Sequence, residues 1–402
     1  MKPLRVGMLA AGFTWGGGRD FLKFLTLGLA PTGADITVLV PDPTVISKIR
    51  AEAVRCRSFI RALARFERPR FHRGQIDDYR PLIESFSSAV GSMRVVHYPA
   101  SRAGLTRVLA KEQIDIILPS IDTLGGGFPK PWLGYIFDLQ HKYLPHLCSR
   151  ELITSRDRRF QRMLRDATAI IVNSEQVKND LRSFYDCGTC EVHALPFCPI
   201  PQSEWFSLDV GAAKTHYEIR EPYFLISNQF WLHKDHATAF KALALMKNGN
   251  AQLVCTGSTS DYRDPEYFPR LEQLISDLGL NSRVKILGHI PKADQIAIMR
   301  GAVAVIQSTL FEGGPGGGSV YEAVAMGVPA IVSDIPVNRE ISERGVTFFA
   351  AGSAEALASA MIEHLEMPRP RENSELLLQR GALRVGQLAA ALTEAIVSVH
   401  SV

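Results

Sequence analysis

The segment AVAVIQSTLFEGGPGGGSVYEAVAMGVPAIVSD, residues 302–334, contains a strand, a loop, a helix and a second strand in one stretch of chain. AVAVIQS and AIVSD are apolar runs of strand length, and YEAVAMG between them begins a helix. Strands rich in valine and isoleucine that are separated by a helix-length interval are typical of a parallel sheet covered by helices. The segment therefore predicts an α/β fold.

The same alternation of strand-like and helical stretches occurs twice along the chain. The first half contains LRVGML, ADITVLV, RVVHY, IDIILP, AIIVN and CEVHALP, and the second half contains YFLISN, AQLVCTG, RVKILG, AVAVIQS, AIVSD and VTFFA. Three prolines interrupt the pattern near Ala194–Trp205. We therefore predict two doubly wound domains, residues 1–200 and 201–384, and a final helix at about 385–402 that packs back on the first domain.

Bulk composition narrows the class of protein. The chain has 402 residues, 46% of them apolar, and a formal charge of +4, which is too small to indicate nucleic-acid binding by itself. Its six cysteines do not form a disulfide framework. Because no apolar run reaches the roughly 18–20 residues that span a bilayer and no secretory signal is visible, we expect a cytoplasmic protein.

Two local patterns each allow a functional and a structural interpretation. Eight arginines against two acidic residues lie between Arg50 and Arg73, and this stretch either meets an anionic membrane surface or phosphate, or forms a solvated helix flank. Cys187-Gly-Thr-Cys190 has redox spacing, but it follows a helical segment and no second cysteine pair accompanies it. We interpret this cysteine pair as structural.

Polar residues of the second half follow the ends of predicted strands, where sheets of this class bind ligands. Lys234 lies in the loop after YFLISN, near a helix N-terminus that suits a phosphate. Glu312 follows AVAVIQS and precedes five glycines, whose backbone N–H groups suit a diphosphate, and Glu322 lies inside the next helix. Both carboxylates can accept hydrogen bonds from sugar hydroxyls. Further candidate ligand-binding residues in these loops are Asn228, Gln229 and Gly257.

At this point the chain resembles glycosyltransferase family 4, the retaining nucleotide-sugar enzymes with the GT-B fold. STLFEGGPGGGSVYEAVAMGVPAIVSD resembles the Glu–Glu signature of that family, and the resemblance extends to SNQFWLHKDH, LGHI, FDLQHKYLPHL and ATAIIVNSEQVKNDL. It covers most of the chain. It implies two Rossmann-like domains that face a cleft, the first binding the acceptor and the second the nucleotide sugar.

The resemblance also implies a role for each matching residue. Glu312 would hold hydroxyls of the donor sugar, Lys234 would stabilise charge on the departing diphosphate, and Glu322 would bind the ribose. In the first domain, Asp138 and His141 would lie beside the transferred sugar. The phosphate cradle would consist of Gly316, Gly317, Gly318 and Ser319, and an N-terminal glycine loop facing donor and acceptor would consist of Gly16, Gly17 and Gly18.

Three features depart from the family pattern. The interval between Glu312 and Glu322 is longer than usual. Gln229 replaces a common arginine, so that a phosphate contact would come from elsewhere, for example from His233 or Arg19. The histidine that many relatives carry before the acid of the first-domain motif is Phe137 here, and His141 is its candidate replacement, although spacing does not separate His141 from His146.

The sequence thus predicts a retaining glycosyltransferase that needs no metal ion or other cofactor. It would move a sugar from a UDP- or GDP-linked donor to a hydroxyl of a glycan or lipid-linked acceptor in cell-surface polysaccharide synthesis, in the cytoplasm or at the inner face of the membrane. The alternatives are a nucleotide-sugar epimerase or phosphorylase on the same plan, and a non-catalytic nucleotide-sugar-binding protein. A dehydrogenase is disfavoured, because VGMLAAGFTWGGG lacks the G-x-G-x-x-G spacing.

Overall fold

The computed structural model describes residues 3–42, 79, 82–83, 93–246, 250–261 and 263–399. The arginine-rich stretch Arg50–Arg73 lies outside these ranges, so its predicted contact with a membrane stays a prediction. Within these ranges, no helix combines the length and the hydropathy that crossing a bilayer requires.

Seven parallel strands form the first sheet, in the order β3-β2-β1-β4-β5-β6-β7. Its strands are β1 (Arg5–Leu9), β2 (Asp35–Asp42), β3 (Arg94–Pro99), β4 (Ile116–Ser120), β5 (Trp132–Tyr135), β6 (Ala169–Val172) and β7 (Glu191–Ala194). The helices of this unit are α1 (Gly16–Leu29), α2 (Arg102–Lys111), α3 (Gln140–Tyr143), α4 (Arg150–Asp166) and α5 (Glu175–Phe184). Strands such as β4 and β6 are buried along their whole length, since helices cover both faces of the sheet.

Six parallel strands form the second sheet, in the order β10-β9-β8-β11-β12-β13. Its strands are β8 (Tyr223–Ser227), β9 (Gln252–Thr256), β10 (Val284–Gly288), β11 (Val305–Gln307), β12 (Ala330–Ser333) and β13 (Val346–Phe349). The helices are α6 (Val210–His216), α7 (His236–Leu245), α8 (Tyr267–Asp277), α9 (Lys292–Gly301), α10 (Gly317–Ala325), α11 (Ala354–Glu366) and α12 (Ser374–Ser398). The predicted fold of two Rossmann-like, parallel-sheet domains is confirmed.

The strand order of both sheets reverses beside the first strand of the unit. β1 lies between β2 and β4, and β8 lies between β9 and β11. In open parallel sheets, ligands bind outside the carboxyl ends of the strands at this reversal. The loops after β8 and β11 are therefore the parts of the second domain best placed to hold a ligand.

The last helix, α12, spans both domains. It begins at Ser374 rather than at residue 385, because the side chain of Asn373 caps it by accepting a hydrogen bond from the amide of Glu375 at 2.8 Å. Near its start, Leu377 packs against Gly327 of the second domain. Farther along, Leu388 and Leu392 belong to the core of the first domain. The predicted boundary at Ala194–Trp205 falls in the connection between β7 and β8.

The Cys187–Cys190 pair lies in the turn between α5 and β7. Both thiols are free, and the amide of Cys190 donates to the carbonyl oxygen of Cys187 at 2.9 Å. Burial raises the pKa of Cys190 to about 12. A thiol that stays protonated is a poor nucleophile, which supports the structural interpretation of this pair.

Candidate functional site

Lys234 and Glu312 meet at the carboxyl ends of β8 and β11. The Lys234 ammonium contacts Oε1 of Glu312, and Nε2 of Gln307 donates to the same oxygen at 3.2 Å. The lysine and glutamate side chains are only 11% and 12% exposed. These residues, 78 positions apart, come together because β8 and β11 are neighbouring strands. In the free protein each charge therefore has the other as its partner.

Hydroxyl groups that follow β11 hold the lysine loop in place. Oγ of Ser308 donates to the carbonyl oxygens of Lys234 and Asp235 at 3.1 and 2.8 Å. Oγ1 of Thr309 donates to the carbonyl oxygen of His233 at 3.1 Å. Both hydroxyl-bearing residues are buried, so the backbone of the lysine loop is held in position from the interior of the domain. The sequence analysis did not identify these supports, although both directly follow the AVAVIQ run.

The glycine loop turns sharply before α10. Gly316 and Gly317 have φ values of +67° and +57°, in the left-handed region that favours glycine. The Gly316 amide already donates to Oδ1 of Asn338 at 2.8 Å, and its carbonyl oxygen accepts from Nε2 of Gln307. The predicted contact of the Gly316 amide with a phosphate would therefore require Asn338 to release that amide.

The next two residues of the loop offer donors that are not engaged. Gly318 and Ser319 are the second and third residues of α10, so their amides have no acceptor within the helix, and among the described residues neither donates to a backbone oxygen outside it. Oγ of Ser319 is buried without a hydrogen-bond partner in the same part of the chain. A buried hydroxyl without a partner at a helix N-terminus is suited to an anionic oxygen. Gly318 and Ser319 are thus the part of the predicted cradle that can receive a phosphate.

Glu322 lies within α10 and faces two polar groups of α9. It contacts the ammonium of Lys292, and Nε2 of Gln295 donates to its Oε2 at 3.3 Å. Burial raises the pKa of Glu322, while Lys292 opposes the rise and Asp20 of the first domain adds to it. Glu322 is thus near enough to Asp20 for the charges of the two carboxylates to interact. Within the described ranges, no three His, Cys, Asp or Glu side chains are grouped as a metal site requires.

Asn228, Gln229 and Gly257 form one junction at the ends of β8 and β9. Gly257 has φ +127°, and a Cβ there would lie 2.1 Å from the carbonyl oxygen of Asn228. Oε1 of Gln229 accepts from the amide of Ser258 at 2.9 Å. Nδ2 of Asn228 is buried without a partner among the described atoms. Gln229 thus joins two loops, while the Asn228 amide group is the donor that a ligand could use.

His233, one of the two predicted sources of the phosphate contact, carries no positive charge at neutral pH. Burial, with Lys234, Arg263 and His236 nearby, lowers the pKa of His233 to about 2, so the ring is neutral at neutral pH. Arg19 lies in the first turn of α1. A cation that the sequence analysis missed, Arg263, lies 5.2 Å from the Trp231 ring and donates to Oε1 of Gln140 in the first domain at 3.2 Å.

Asp138 of the first domain lies against the glycine loop. A Cβ at Gly313 would lie 2.1 Å from the carbonyl oxygen of Phe137 and 2.7 Å from Cβ of Asp138. The Asp138 carboxylate accepts hydrogen bonds from the guanidinium of Arg156 at 2.5 Å and from the amide of Gln140 at 2.9 Å. The structure therefore brings Asp138 to the loop that carries Glu312, as the predicted site requires.

His141 lies in the interior of the first domain. Its Nε2 is 2.9 Å from Oδ1 of Asp157 and 3.1 Å from the Tyr185 hydroxyl, and its ring packs edge-on against Phe160. The side chain has no exposed surface, and burial lowers the pKa of His141. In this conformation His141 is part of a buried hydrogen-bonded network and does not join the Lys234–Glu312 pair. His146, by contrast, is exposed.

Gly16, Gly17 and Gly18 form the first turn of α1 rather than a loop. Glycine is a poor helix former, but the Trp15 indole packs against this turn, and a Cβ at Gly17 would lie 2.4 Å from its Cζ3 atom. No side chain caps the helix at Trp15. The Trp15 ring is half-exposed and lies 6.0 Å from the Phe137 ring. Gly17 and Gly18 therefore leave room for the Trp15 indole beside the loop of Asp138, whereas a Cβ at Gly16 would meet no atom within 4 Å.

We expect that replacing His236 by phenylalanine makes the domain more resistant to acid. Both ring nitrogens of His236 are buried without partners, and burial lowers its pKa to about 3. The unfolded chain takes up this proton below about pH 6.5 while the folded chain does not, so stability is lost as the pH falls below 6.5. The loss reaches about 2 kcal/mol for this residue at pH 5. The ring already stacks on Phe230 at 4.1 Å, which suits a phenylalanine.

Urea unfolding at pH 7, 6 and 5 measures this effect. Between pH 7 and 5, the free energy of unfolding should fall by about 2 kcal/mol less in His236→Phe than in the wild type. His146→Gln, which alters an exposed histidine, is the matched control. Equal pH dependence in the wild type and His236→Phe would contradict the prediction.

Comparisons with known proteins agree with this architecture. Residues 213–375 match the family described as glycosyl transferases group 1. A stretch of 149 residues is 26% identical to the O-antigen chain mannosyltransferase RfbU of Salmonella typhimurium, and it covers 37% of this chain and 40% of that protein.

Two solved structures share the fold along almost the whole chain. Sucrose-phosphate synthase of Thermosynechococcus elongatus has a TM-score of 0.66 and 19% identity, with 98% of each chain covered. HepE of Anabaena in complex with UDP and glucose has a TM-score of 0.62 and 14% identity, with 99% of this chain and 97% of that chain covered. The chain therefore has the GT-B fold, and residues 213–375 within it are similar to the glycosyl transferases group 1 family.

Proposed function

We propose that this protein is a retaining glycosyltransferase that moves a sugar from a UDP- or GDP-linked donor to a hydroxyl of a glycan or lipid-linked acceptor. The observation that carries the proposal is the Lys234–Glu312 pair beside the free donors of Gly318 and Ser319, at the strand-order reversal of the second sheet. RfbU is named for O-antigen chain mannosyl transfer, and HepE was solved with UDP and glucose. The first similarity supports a role in cell-surface polysaccharide synthesis, and the second supports a nucleotide-linked sugar as the donor.

The donor diphosphate would bind at the start of α10. The amides of Gly318 and Ser319 and the Ser319 hydroxyl would donate to its oxygens, where the helix dipole also favours negative charge. Lys234 would turn from Glu312 to the phosphate as the bond to the sugar breaks. Hydrogen-bond donors and a cation that already point at the charge developing on the diphosphate make the largest contribution to the rate of such a reaction. Because Lys234 and the two amides can supply this stabilisation, we propose that the reaction uses no metal ion.

The sugar would lie between Glu312 and Asp138. Once Lys234 has moved to the phosphate, the Glu312 carboxylate would be free to accept hydrogen bonds from sugar hydroxyls, with Gln307 holding it in place. Asp138, oriented by Arg156, would face the transferred sugar from the first domain. The acceptor oxygen would bond to the anomeric carbon on the face that the phosphate leaves, and its proton would pass to the departing phosphate oxygen.

Incubation of the purified protein with UDP- and GDP-sugars tests this proposal. We expect slow hydrolysis of one donor in the absence of acceptor. Nuclear magnetic resonance of the released sugar measures this hydrolysis. Stabilisation by the donor without turnover would favour a non-catalytic binding protein, and conversion of the donor sugar would favour an epimerase. No stabilisation and no hydrolysis with any donor would contradict nucleotide-sugar binding altogether.

We expect Glu322→Ala to remove the preference for a ribose over a 2′-deoxyribose. If Glu322 accepts from the ribose diol, the wild type should bind UDP or GDP about tenfold more tightly than the 2′-deoxy form, since a hydrogen bond to a charged group contributes about 1.5–3 kcal/mol. The variant should bind both forms equally weakly. Isothermal titration measures all four affinities. Glu218→Ala, which removes an exposed glutamate, should keep the preference, and a preference retained in Glu322→Ala would exclude this role.

A further inference from the structure

An open groove of about 640 Å³ lies on the first domain, along α4. Six of its lining residues can donate hydrogen bonds from their side chains: Arg150, Thr154, Ser155, Arg158, Arg159 and Arg162. They recur at helical spacing, so they share one face of α4. Two acids, Asp122 and Glu151, complete the groove. We call this feature the arginine groove.

The four arginines of the groove differ from the other arginines of α4 in having no ion-pair partner among the described residues. None of them forms an ion pair within the described part of the chain, and Nε of Arg159 is buried without a hydrogen-bond partner. The other arginines of α4 behave differently, because Arg156 pairs with Asp138 and Arg165 with Asp166. With four positive charges against two negative ones, the arginine groove keeps a net positive charge.

A larger cavity on the second domain is also charged, but among the described residues its cations have partners, unlike the four arginines of the arginine groove. That cavity, of about 830 Å³, is also lined by cations. Its Lys214 pairs with Glu221, and its Lys285 pairs with Glu218. The guanidinium of Arg220 donates to the carbonyl oxygen of Ser282. The cations there have partners within the fold, whereas those of the arginine groove can accept a ligand.

The arginine groove lies on the cleft side of the first domain. Asp122 follows the carboxyl end of β4, and its carbonyl oxygen accepts from Oγ of Ser120 at 2.7 Å. Arg159 lies close enough to Asp122 and Asp138 for both carboxylates to act on its charge. Arg156, one turn back along α4, holds Asp138 directly. A molecule in the groove would therefore extend towards Asp138, from the acceptor side.

We propose that the arginine groove binds a phosphate or diphosphate group carried by the acceptor. Guanidinium groups bind phosphate oxygens in a bidentate manner, and the Ser155 hydroxyl can donate to the same oxygens. The Thr154 hydroxyl already donates to the carbonyl oxygen of Arg150 at 2.9 Å. This inference rests on the proposed function for the identity of the ligand as an acceptor. The phosphate has two possible sources, a lipid headgroup at a membrane surface or a soluble phosphorylated sugar.

Two binding experiments on the full chain separate these sources. The variant is Arg158→Ser/Arg162→Ser, in which both altered side chains are exposed, and the matched control is Arg182→Ser, an exposed arginine of α5 outside the groove. Isothermal titration with inorganic diphosphate at low salt measures the soluble source. Co-sedimentation with vesicles of phosphatidylglycerol, against phosphatidylcholine, measures the lipid source. Circular dichroism at each step reports whether the variants are folded.

We expect the double variant to lose about tenfold in affinity for one of these probes while the control keeps it, because charge-assisted hydrogen bonds are lost only in the groove. A loss with diphosphate supports a soluble acceptor, and a loss with anionic vesicles alone supports a lipid-linked one. Equal binding of wild type, double variant and control to both probes would overturn the inference. UDP and GDP titrations run in parallel report on the donor site, so failure of the proposed function is recognised separately.

Discussion

Replacing Lys234 by alanine is expected to lower the turnover of sugar transfer by about 100- to 1,000-fold, the loss found when one preorganised donor to a developing charge is removed. Lys234 contacts Glu312 at the start of the glycine loop, and the hydroxyls of Ser308 and Thr309 hold the loop that carries the lysine. The effect is measured as the rate of hydrolysis of the sugar donor without acceptor, with chromatography of the released nucleoside diphosphate as the readout.

This change also leaves Glu312 without its partner, which destabilises a side chain only 12% exposed. The double variant Lys234→Ala/Glu312→Gln removes the unpaired charge and is expected to recover much of the stability without recovering turnover. Lys241→Ala, which removes an exposed lysine from α7, should behave as the wild type. Full turnover in folded Lys234→Ala would rule out its role at the leaving group.

Gly313→Ala is expected to lower turnover by about 100-fold, the scale reported for a misplacement of about 1 Å in a catalytic constellation. The new methyl group would lie 2.1 Å from the carbonyl oxygen of Phe137, so the glycine loop has to retreat from the first domain. Glu312 and Asp138 would then no longer flank one sugar. Because Gly313 has neither a strained φ nor a place in the core, we expect the melting temperature to change little.

Gly386→Ala is the matched control for this prediction. Gly386 lies within α12, and a Cβ there meets no atom within 4 Å. The same chemical change should leave turnover intact. Because alanine is a better helix former than glycine, the change should not destabilise the protein. If Gly313→Ala turns over at the wild-type rate, the approach of the two domains at this loop is not needed for the reaction.

The fold was predictable because its signals are local. Most strands appear in the sequence as short runs rich in valine, isoleucine and leucine between helix-length intervals, and parallel pairing follows from that spacing. β5 (WLGY) and β7 (EVHA) contain only one such residue each. The elements that differ from prediction depend on single side chains. The first turn of α1 depends on the Trp15 indole that covers its glycines, and the start of α12 depends on the Asn373 cap.

The sequence allowed us to predict which loops form the candidate site, but not which of their atoms are hydrogen-bonded, buried or charged. The ends of β8 and β11 identified Lys234 and Glu312, which the structure brings into contact. The engagement of the Gly316 amide depends on Asn338, 22 residues further along the chain. The neutral state of His233 and the interior position of His141 depend on burial, which a sequence pattern alone does not report. The assigned roles of these residues stay predictions until the variants are measured.

The path of α12 has a consequence for how the protein is made. The first half of the chain forms the sheet of the first domain, yet Leu388 and Leu392 complete the core of that domain by packing against Gly28 of α1. During synthesis, that apolar surface stays uncovered until the second domain has been translated and α12 has emerged from the ribosome. The two domains are therefore separate in architecture but cannot mature one after the other, because the earliest core is closed by one of the latest helices.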